Sequence, residues 1–375
     1  MAEQLTRFVE RWVDAGIVDA PTAARIRRFE AEHADSARWR WSTWVALAFG
    51  GLMLAAGVLL FVSAHWDEMS PAARLGLVLL MVTIFHAGGA MTTRTSPVTS
   101  TALHTMGTVV LGAGIYLAGQ IFNLDEHWPA GLMLWALGAA IGWAVLGQWP
   151  QTVLLAILVP VWLSSEWHVL LMERAIWLPE CIRASGELLL ALTYFTAVRS
   201  GAPGASRRAL VWLGGIALLP ATAYLALSSS FLFVHGVHPE WPTDLLVIGW
   251  SVALGLPLLL AFVLRGSGAW TNLLATVWVT LATRLDAGGI AVFAWWALGA
   301  TGLVAWGVSD TRRERINMGV VIFAVTVTAF YFSHVMDQLG RSASLVGLGL
   351  LSLVGGWVLE RVRRQLVSQL QGGLA

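Results

Sequence analysis

Residues 72–91 read AARLGLVLLMVTIFHAGGAM, a run of apolar and small side chains with a single charged residue, Arg74. About 20 apolar residues, each rising 1.5 Å along a helix, cross a hydrocarbon core of about 30 Å. Lipid offers the backbone no hydrogen-bonding partners, so a segment that crosses it has to satisfy its own N–H and C=O groups. This stretch therefore predicts a transmembrane α-helix.

The same pattern recurs along the chain of 375 residues, which is 57% apolar and 12% charged. Soluble domains carry roughly 25% charged residues. The predicted fold class is all-α, a polytopic transmembrane helix bundle of about 12 spans. The sixth predicted span begins among charged residues and the ninth is short, so these two segments fit the pattern of a membrane span least well. The predicted spans are residues 43–64, 72–91, 102–122, 129–147, 151–171, 179–198, 209–230, 243–264, 270–285, 288–309, 316–336 and 342–361.

The distribution of arginine predicts the orientation. If the N-terminus faces the cytoplasm, 18 of the 23 arginines lie on that side of the predicted spans and five on the other. Short cytoplasmic loops carry the basic excess in membrane proteins. We therefore expect a multi-pass protein of a bacterial inner (plasma) membrane with both termini cytoplasmic. The net charge of +1 provides no field to recruit nucleic acid, so the expected partners are membrane lipids and no nucleic acid.

A short motif suggests an internal repeat. Leu-Asp at 124–125 and Trp-Ala-Leu-Gly-Ala at 135–139 recur, 161 positions later, at 285–286 and 296–300. The repeat predicts two six-helix halves. The alternative is chance, because these residues are common in membrane helices. The predicted division is residues 43–198 and 209–361 as transmembrane halves, 199–208 as a cytosolic linker and 362–375 as a cytosolic basic tail.

Residues 1–40 precede the first span and predict a small cytosolic hairpin of two amphipathic helices. Val9, Trp12 and Val13 recur at helical spacing on one face, and Gly16 suits the end of the first helix. About 40 residues bury too little core to be stable alone. We expect this hairpin to pack on a partner protein, on a second copy in a homo-oligomer or on the membrane surface. Its arginines also fit a plain solvated face.

Several segments of the chain resemble those of a known protein family. The hairpin that ends at Trp39 and Trp41, GAGIYLAGQIF at 112–122 and LWALG at 134–138 resemble a bacterial family of predicted membrane proteins, domain of unknown function 2157. INMG at 316–319 and ERVRR at 360–364 are similar to the tail of such proteins. The resemblance implies membrane location and a polytopic architecture. It implies no catalytic residues.

Polar residues within or beside the spans are the first candidates for a substrate pathway, because lipid penalises them. Gln120 and Asn123 lie near the outer end of the third predicted span, Asp125 follows them, and Glu187 lies in the sixth. Glycines before Gln120 also fit close helix packing. Glu187 could equally reach the outer interface along its own stem.

A second candidate is a cluster of histidines and carboxylates beside tryptophan on the predicted outer loops. Such side chains can ligate a divalent metal, and tryptophan beside carboxylate is typical of sugar-binding surfaces. They are also ordinary interface anchors. The sequence has one cysteine and no HExxH spacing, so the metal is unknown and no cofactor is predicted. The cluster consists of His65, Asp67, Glu68, Glu126, His127, Glu166, His168, His238 and Glu240.

Three functions follow from these patterns. The first is a transporter-like translocator of a solute or amphiphile, which predicts a cavity lined by Gln120, Asn123 or Glu187. The second is a non-catalytic envelope scaffold that binds a partner, which predicts dry packing between the halves. The third is an outer-face enzyme or sensor. The sequence does not favour an enzymatic function, because it contains neither a P-loop nor a GxSxG elbow.

Overall fold

The computed structural model describes most of the chain, and every regular element among the described residues is helical. The all-α prediction is therefore confirmed for them. The described residues are 9–26, 28–29, 69–122, 127–176, 178–199, 201, 203–231, 241–285 and 289–335, with single positions or short groups between 46 and 60 and between 347 and 364.

The main helices begin and end at residues whose backbone chemistry favours those positions. Ser70 caps the first helix by accepting a hydrogen bond from the Ala73 N–H, and Pro71 occupies its first turn. Gly147 and Gly266 end two others with φ of 61° and 57°, a region that side-chain-bearing residues avoid. The helices are α1 Pro71–Thr92, α2 Pro97–Phe122, α3 Pro129–Leu146, α4 Trp149–Glu173, α5 Glu180–Phe195, α6 Ala205–Phe231, α7 Thr243–Arg265, α8 Trp270–Ala282, α9 Ile290–Ser309 and α10 Arg313–Phe330.

Eight segments of the described chain are long and apolar enough to cross a membrane. Large apolar side chains such as Leu79, Ile84 and Met91 are exposed on them, as lipid contact requires. The chain is thus an integral, multi-pass type of membrane protein. The segments are Pro71–Thr92, Pro97–Gly119, Pro129–Leu146, Trp149–Glu173, Ala205–Ser228, Thr243–Ala282, Ile290–Ser309 and Arg313–His334.

The count of about 12 spans is not confirmed. Most of the predicted first span, 43–64, and last span, 342–361, lies outside the described residues. The predicted sixth span is α5, with 16 residues, too short by itself to cross a bilayer core of about 30 Å. The predicted ninth is α8, with 13 residues, which continues from α7 through a short 3₁₀ turn in one apolar segment of 40 residues.

The chain forms two compact units, residues 1–125 and 126–375. In the first, helical segments 9–14 and 20–26 flank a turn at Gly16, whose φ is 68°. Val9 and Ala23 are buried, whereas Trp12 and Ile17 are exposed. The helices α1 and α2 of this unit pack against each other along their length.

In the second unit α5 is the central helix. It packs against α6 and α7, and most of its residues are buried. A Cβ on Gly214 of α6 would overlap the Phe195 N and Ala191 O of α5, so glycine allows the two backbones to touch. One apolar core joins α5 and α6 to residues of α8, α9 and α10.

The internal repeat stays a prediction. Under the 161-residue offset α2 corresponds to α8, and α3 to α9. The first two differ in length, with 26 residues in α2 and 13 in α8.

Candidate functional site

A cavity of about 780 Å³ lies in the second unit between α5, α6, α8, α9 and α10. Its walls are mostly apolar, leucine and tryptophan are the commonest residues in them, and Leu188 and Leu192 are contributed by the central helix. Binding sites for small molecules typically have about 300–1,000 Å³ and are predominantly apolar. The size and lining of this cavity therefore suit one apolar molecule.

Four tryptophans line the cavity: Trp270, Trp278, Trp296 and Trp306. The Trp278 ring lies edge-on to Trp296, with ring centroids 5.1 Å apart, and stacks on Trp295 at 6.2 Å. A Cβ on Gly299 of α9 would overlap the Trp278 ring, so a glycine at this position allows the indole of α8 to lie against α9. Gly299 and the indoles of Trp278 and Trp296 thus shape the α8–α9 side of the cavity.

Two of these indoles are buried donors without an acceptor. The Nε1 atoms of Trp278 and Trp296 have no hydrogen-bond partner among the residues that the structure describes, and Trp296 is only 6% exposed. By contrast, Trp295 Nε1 donates to the Trp278 carbonyl oxygen over 3.2 Å. Leaving a buried N–H unsatisfied costs about 1–3 kcal/mol. A bound molecule with an acceptor atom would recover this free energy.

Trp306 connects the cavity to a buried charged cluster. Its Nε1 donates to Asp310 Oδ2, and its ring lies 5.0 Å from the guanidinium carbon of Arg265 and 5.3 Å from that of Arg315. Asp310 Oδ2 also accepts hydrogen bonds from Arg265, at 3.0 Å, and from Arg315. Burial raises the pKa of Asp310, but the hydrogen bonds from Arg315 and Arg265 outweigh this effect and hold it below its ordinary value.

Two guanidiniums share one carboxylate in this cluster, and backbone carbonyls and the Thr271 hydroxyl supply further acceptors. Arg265 donates to the Thr196 carbonyl oxygen over 2.6 Å, and Arg315 donates to those of Thr196 and Val198. These carbonyls follow the C-terminal end of α5, where the helix dipole is negative. The cluster therefore stabilises the junction of α5, α7 and α10 beside Trp306, which lines the cavity.

Comparison with known protein families gives independent information on the first part of the chain. Residues 10–150 match the DUF2157 family of predicted membrane proteins. The resemblance inferred from the sequence is thereby confirmed over these residues. No curated protein and no solved structure matches the chain. The DUF2157 segment ends at the start of α4, so the cavity lies in the part of the chain that follows it.

The residues predicted to form a substrate pathway are only partly described. Gln120 belongs to the last turns of α2, in the DUF2157 segment, and its side chain lies outside the described part. Asn123 and Asp125 also lie outside it. Glu187 is the eighth residue of α5 and is hydrogen-bonded to Ser164 of α4. The described lining of the cavity does not include Glu187.

The structure brings together one pair of the predicted outer cluster. His127 Nε2 lies 2.8 Å from Glu166 Oε2, and Trp162 Nε1 donates to Glu166 Oε1 over 2.8 Å. His168 follows Glu166 by two positions on α4, which is about 200° around a helix. No group of three metal-ligating side chains occurs among the described residues. The other members, His65, Asp67, Glu68, Glu126, His238 and Glu240, lie outside those residues.

No sequence motif pointed to the cavity or to a contact between His86 and His104 in the DUF2157 segment. The two Nδ1 atoms of these histidines are 3.0 Å apart. One signal was available for the pair: both residues lie nine positions from Thr95, in the turn between α1 and α2, and each begins a His-x-x-Gly sequence. The cavity tryptophans gave no such signal, because tryptophan is common at membrane interfaces.

Proposed function

We propose that this protein binds an amphiphile, a molecule with an apolar chain and a hydrogen-bond-accepting group, and translocates it across a bacterial inner membrane. The observation that carries the proposal is the pairing of an apolar cavity with two buried indole N–H groups, on Trp278 and Trp296, that have no acceptor among the described residues. The cavity walls suit the chain of such a molecule. The indole donors suit an ester, carboxylate or hydroxyl oxygen.

Access from the lipid favours an amphiphile over a water-soluble ion. Trp270, Leu274 and Leu298 line the cavity and are 59%, 57% and 56% exposed on the surface of the helices. An exposed apolar surface on membrane-crossing helices faces acyl chains. We propose that the ligand enters laterally between α8 and α9, without passing through water.

Both termini are proposed to be cytoplasmic. In the second unit the turns α5–α6, α7–α8 and α9–α10 share one end of the bundle, and they carry Arg199, Arg265 and Arg312 with several further arginines. The positive-inside rule places such turns in the cytoplasm. The charged cluster around Asp310, which contacts the cavity residue Trp306, then lies at the cytoplasmic end of the second unit.

Translocation can be tested with the full chain reconstituted into liposomes that carry phosphatidylglycerol with a fluorescent acyl-chain label. Dithionite, which does not cross the membrane, bleaches only the outer leaflet unless the protein exchanges labelled lipid. We expect bleaching of the inner-leaflet label as well, at a rate that falls in a Gly302→Leu variant. Gly302 lines the cavity, and a Cβ there would meet no atom within 4 Å. A leucine side chain should therefore be accommodated without disturbing the fold and should fill part of the cavity.

The matched control is Gly255→Leu on α7, where a Cβ also meets no atom within 4 Å but which does not line the cavity. This variant should bleach like the unchanged protein. Bleaching limited to the outer leaflet with unchanged protein would overturn translocation. Equal rates in the Gly302→Leu and Gly255→Leu variants would overturn the role of the cavity.

A second candidate function, a partner-binding scaffold, is favoured by the N-terminal helical segments. Trp12, Ile17 and Phe29 are exposed there, on segments too short to bury them. We propose that this apolar surface pairs with a second copy. A Trp12→Ser, Ile17→Ser variant should then have half the mass of the unchanged protein by light scattering in detergent. The same mass for both would exclude pairing through this surface.

A further inference from the structure

The turns α5–α6, α7–α8 and α9–α10 of the second unit bring a cluster of charged side chains together. Asp310 accepts hydrogen bonds from two of its arginines, and Glu314 lies 3.7 Å from a third. Four guanidiniums therefore meet two carboxylates, and the cluster has an excess of positive charge. Its members are Arg199, Arg265, Arg312, Arg315, Asp310 and Glu314.

Two of these arginines fix the backbone of the α5–α6 turn through its carbonyl groups. Arg312 donates to the carbonyl oxygen of Arg199 over 3.4 Å and to that of Gly201 over 2.8 Å. Arg315 donates to the carbonyl oxygen of Val198 from the interior. These hydrogen bonds hold the backbone from which the Arg199 side chain extends, so the position of that side chain is constrained.

The Arg199 side chain lies against the α7–α8 turn. A Cβ on Gly268 would lie 3.1 Å from Arg199 Cδ and 3.5 Å from its Nη1, so glycine at this position leaves space for the arginine. On the same turn, the buried Arg265 donates from Nε to the Gly268 carbonyl oxygen over 3.3 Å. Arg199 itself is exposed, and its guanidinium makes no hydrogen bond or ion pair with the described residues. Its donors are therefore available to a ligand.

The other carboxylates of the second unit give this cluster no further partner close to it in the sequence. Glu360 forms an ion pair of 2.7 Å with Arg364, and residues 361–375 contain three arginines and no acid. Carboxylates of residues 1–40 belong to the first unit, and variants that neutralise them are part of the test. The undescribed carboxylates of the second unit neighbour, in the sequence, the opposite ends of the helices: Glu126 before α3, Glu240 before α7, Asp286 after α8 and Asp337 after α10.

We propose that Arg199 and Arg312 bind a phosphate group at the surface of this cluster. A guanidinium is a planar fork of N–H donors that matches two phosphate oxygens. Arg312 Nη1 lies 3.7 Å from Glu314, beyond hydrogen-bond distance, so this arginine also keeps donors for a ligand. The buried charges of Arg265 and Arg315 add attraction from the interior.

The place of the site at a helix end indicates where the phosphate comes from. The membrane-crossing helix α9 ends and α10 begins at these turns, so the site lies at the level of the membrane surface. Anionic phospholipids present phosphodiester groups there, and basic pockets between membrane helices bind such headgroups. The ligand is a phosphate group, carried by a lipid or free in solution. The inference does not depend on the cavity or on translocation.

The test is native mass spectrometry of the full chain in detergent, with dioleoyl phosphatidylglycerol as the lipid probe. Dioleoylglycerol, which has the same acyl chains and no phosphate, is the matched lipid. We expect the protein to retain phosphatidylglycerol and to release dioleoylglycerol. Inorganic phosphate distinguishes the two sources. If it does not displace the lipid, the ligand is a lipid headgroup; if it displaces the lipid fully, a free phosphate occupies the same site.

Two pairs of variants test the site itself. Arg199→Gln should weaken phosphatidylglycerol binding about tenfold, because charge-assisted hydrogen bonds to phosphate are lost. Arg207→Gln is its control, since Arg207 is also exposed and its replacement removes the same charge from the same end of the helices. Gly268→Ala keeps every charge but should displace Arg199 and weaken binding. Gly204→Ala, where a Cβ meets no atom within 4 Å, should bind like the unchanged protein.

Equal losses in Arg199→Gln and Arg207→Gln would overturn the proposal, because they would indicate a general attraction between arginines and anions. Equal retention of the two lipids would also overturn it. The first unit is tested with a triple variant, Glu30→Gln, Glu32→Gln, Asp35→Asn, which should bind phosphatidylglycerol like the unchanged protein. Binding that appears only in the triple variant would show that the chain's own N-terminal carboxylates occupy the arginines, and would exclude a phosphate site.

Discussion

Trp306 donates a hydrogen bond from Nε1 to Oδ2 of Asp310 over 3.1 Å, one helical turn further along the chain. The contact joins the wall of an apolar cavity to the carboxylate that two buried arginines share. The charged cluster therefore holds the Trp306 side of the cavity wall in place, while its three charged side chains lie outside the described lining.

Removal of the Asp310 charge should destabilise the second unit strongly. In Asp310→Asn, Arg265 and Arg315 keep their charges without a carboxylate partner, and breaking a buried ion pair costs about 3–5 kcal/mol. The melting temperature in detergent should fall clearly. The control is Glu314→Gln, which removes an ion pair of 3.7 Å to Arg312 that is partly exposed. Exposed pairs contribute about 0–1 kcal/mol. Similar melting temperatures for the two variants would contradict a stabilising role for Asp310.

The stability supplied by Asp310 should depend on pH in one direction. Its pKa in the folded protein lies below the ordinary value of 3.8, because the arginine hydrogen bonds outweigh burial. Its contribution is therefore fully present above the unfolded pKa and is lost as pH falls through the folded pKa. The melting-temperature difference between the unchanged protein and Asp310→Asn should be constant near neutral pH and shrink below about pH 4. A difference that grows on acidification would contradict this account.

Gly214→Ala should loosen the central helix. The new Cβ would overlap the backbone of α5 at Ala191 and Phe195, and backbone atoms cannot move aside as a side-chain end can. Overpacking typically costs about 1–3 kcal/mol. Thermal melting should show this loss for Gly214→Ala and none for Gly255→Ala, where a Cβ meets no atom within 4 Å. Equal stability of the two variants would show that α5 and α6 are not in close contact.

The unpartnered indole donors should contribute to ligand affinity. We expect Trp296→Phe to reduce covalent labelling by a diazirine-bearing fatty acid several-fold, because a hydrogen bond contributes about 0.5–1.5 kcal/mol and 1.4 kcal/mol is a factor of ten. Trp295→Phe is the control, since its N–H already donates to the Trp278 carbonyl. Labelled peptides identified by mass spectrometry should come from α8 and α9. Equal labelling of both variants would exclude the indole N–H of Trp296 as a ligand donor.

Hydropathy predicted the described membrane helices well because bilayer thickness fixes their length. The predicted span 72–91 corresponds to Pro71–Thr92, and 288–309 corresponds to Ile290–Ser309. Hydropathy failed to anticipate that α5 is only 16 residues long and that most of its residues are buried. Apolar side chains that face lipid and those that face protein have the same composition, so burial leaves little trace in such a pattern.

The sequence by itself determined that the chain is an all-helical membrane protein, because the cost of an unsatisfied backbone in lipid allows few alternatives. It also predicts, without a structural test, that most arginines lie on one side of the membrane. Only the tertiary structure decided which polar groups meet: His86 with His104, Arg265 and Arg315 with Asp310, and Trp278 with Trp296. These contacts depend on the rotation of each helix about its axis. That rotation follows from the close packing of glycines and large side chains between neighbouring helices, which no single helix specifies alone.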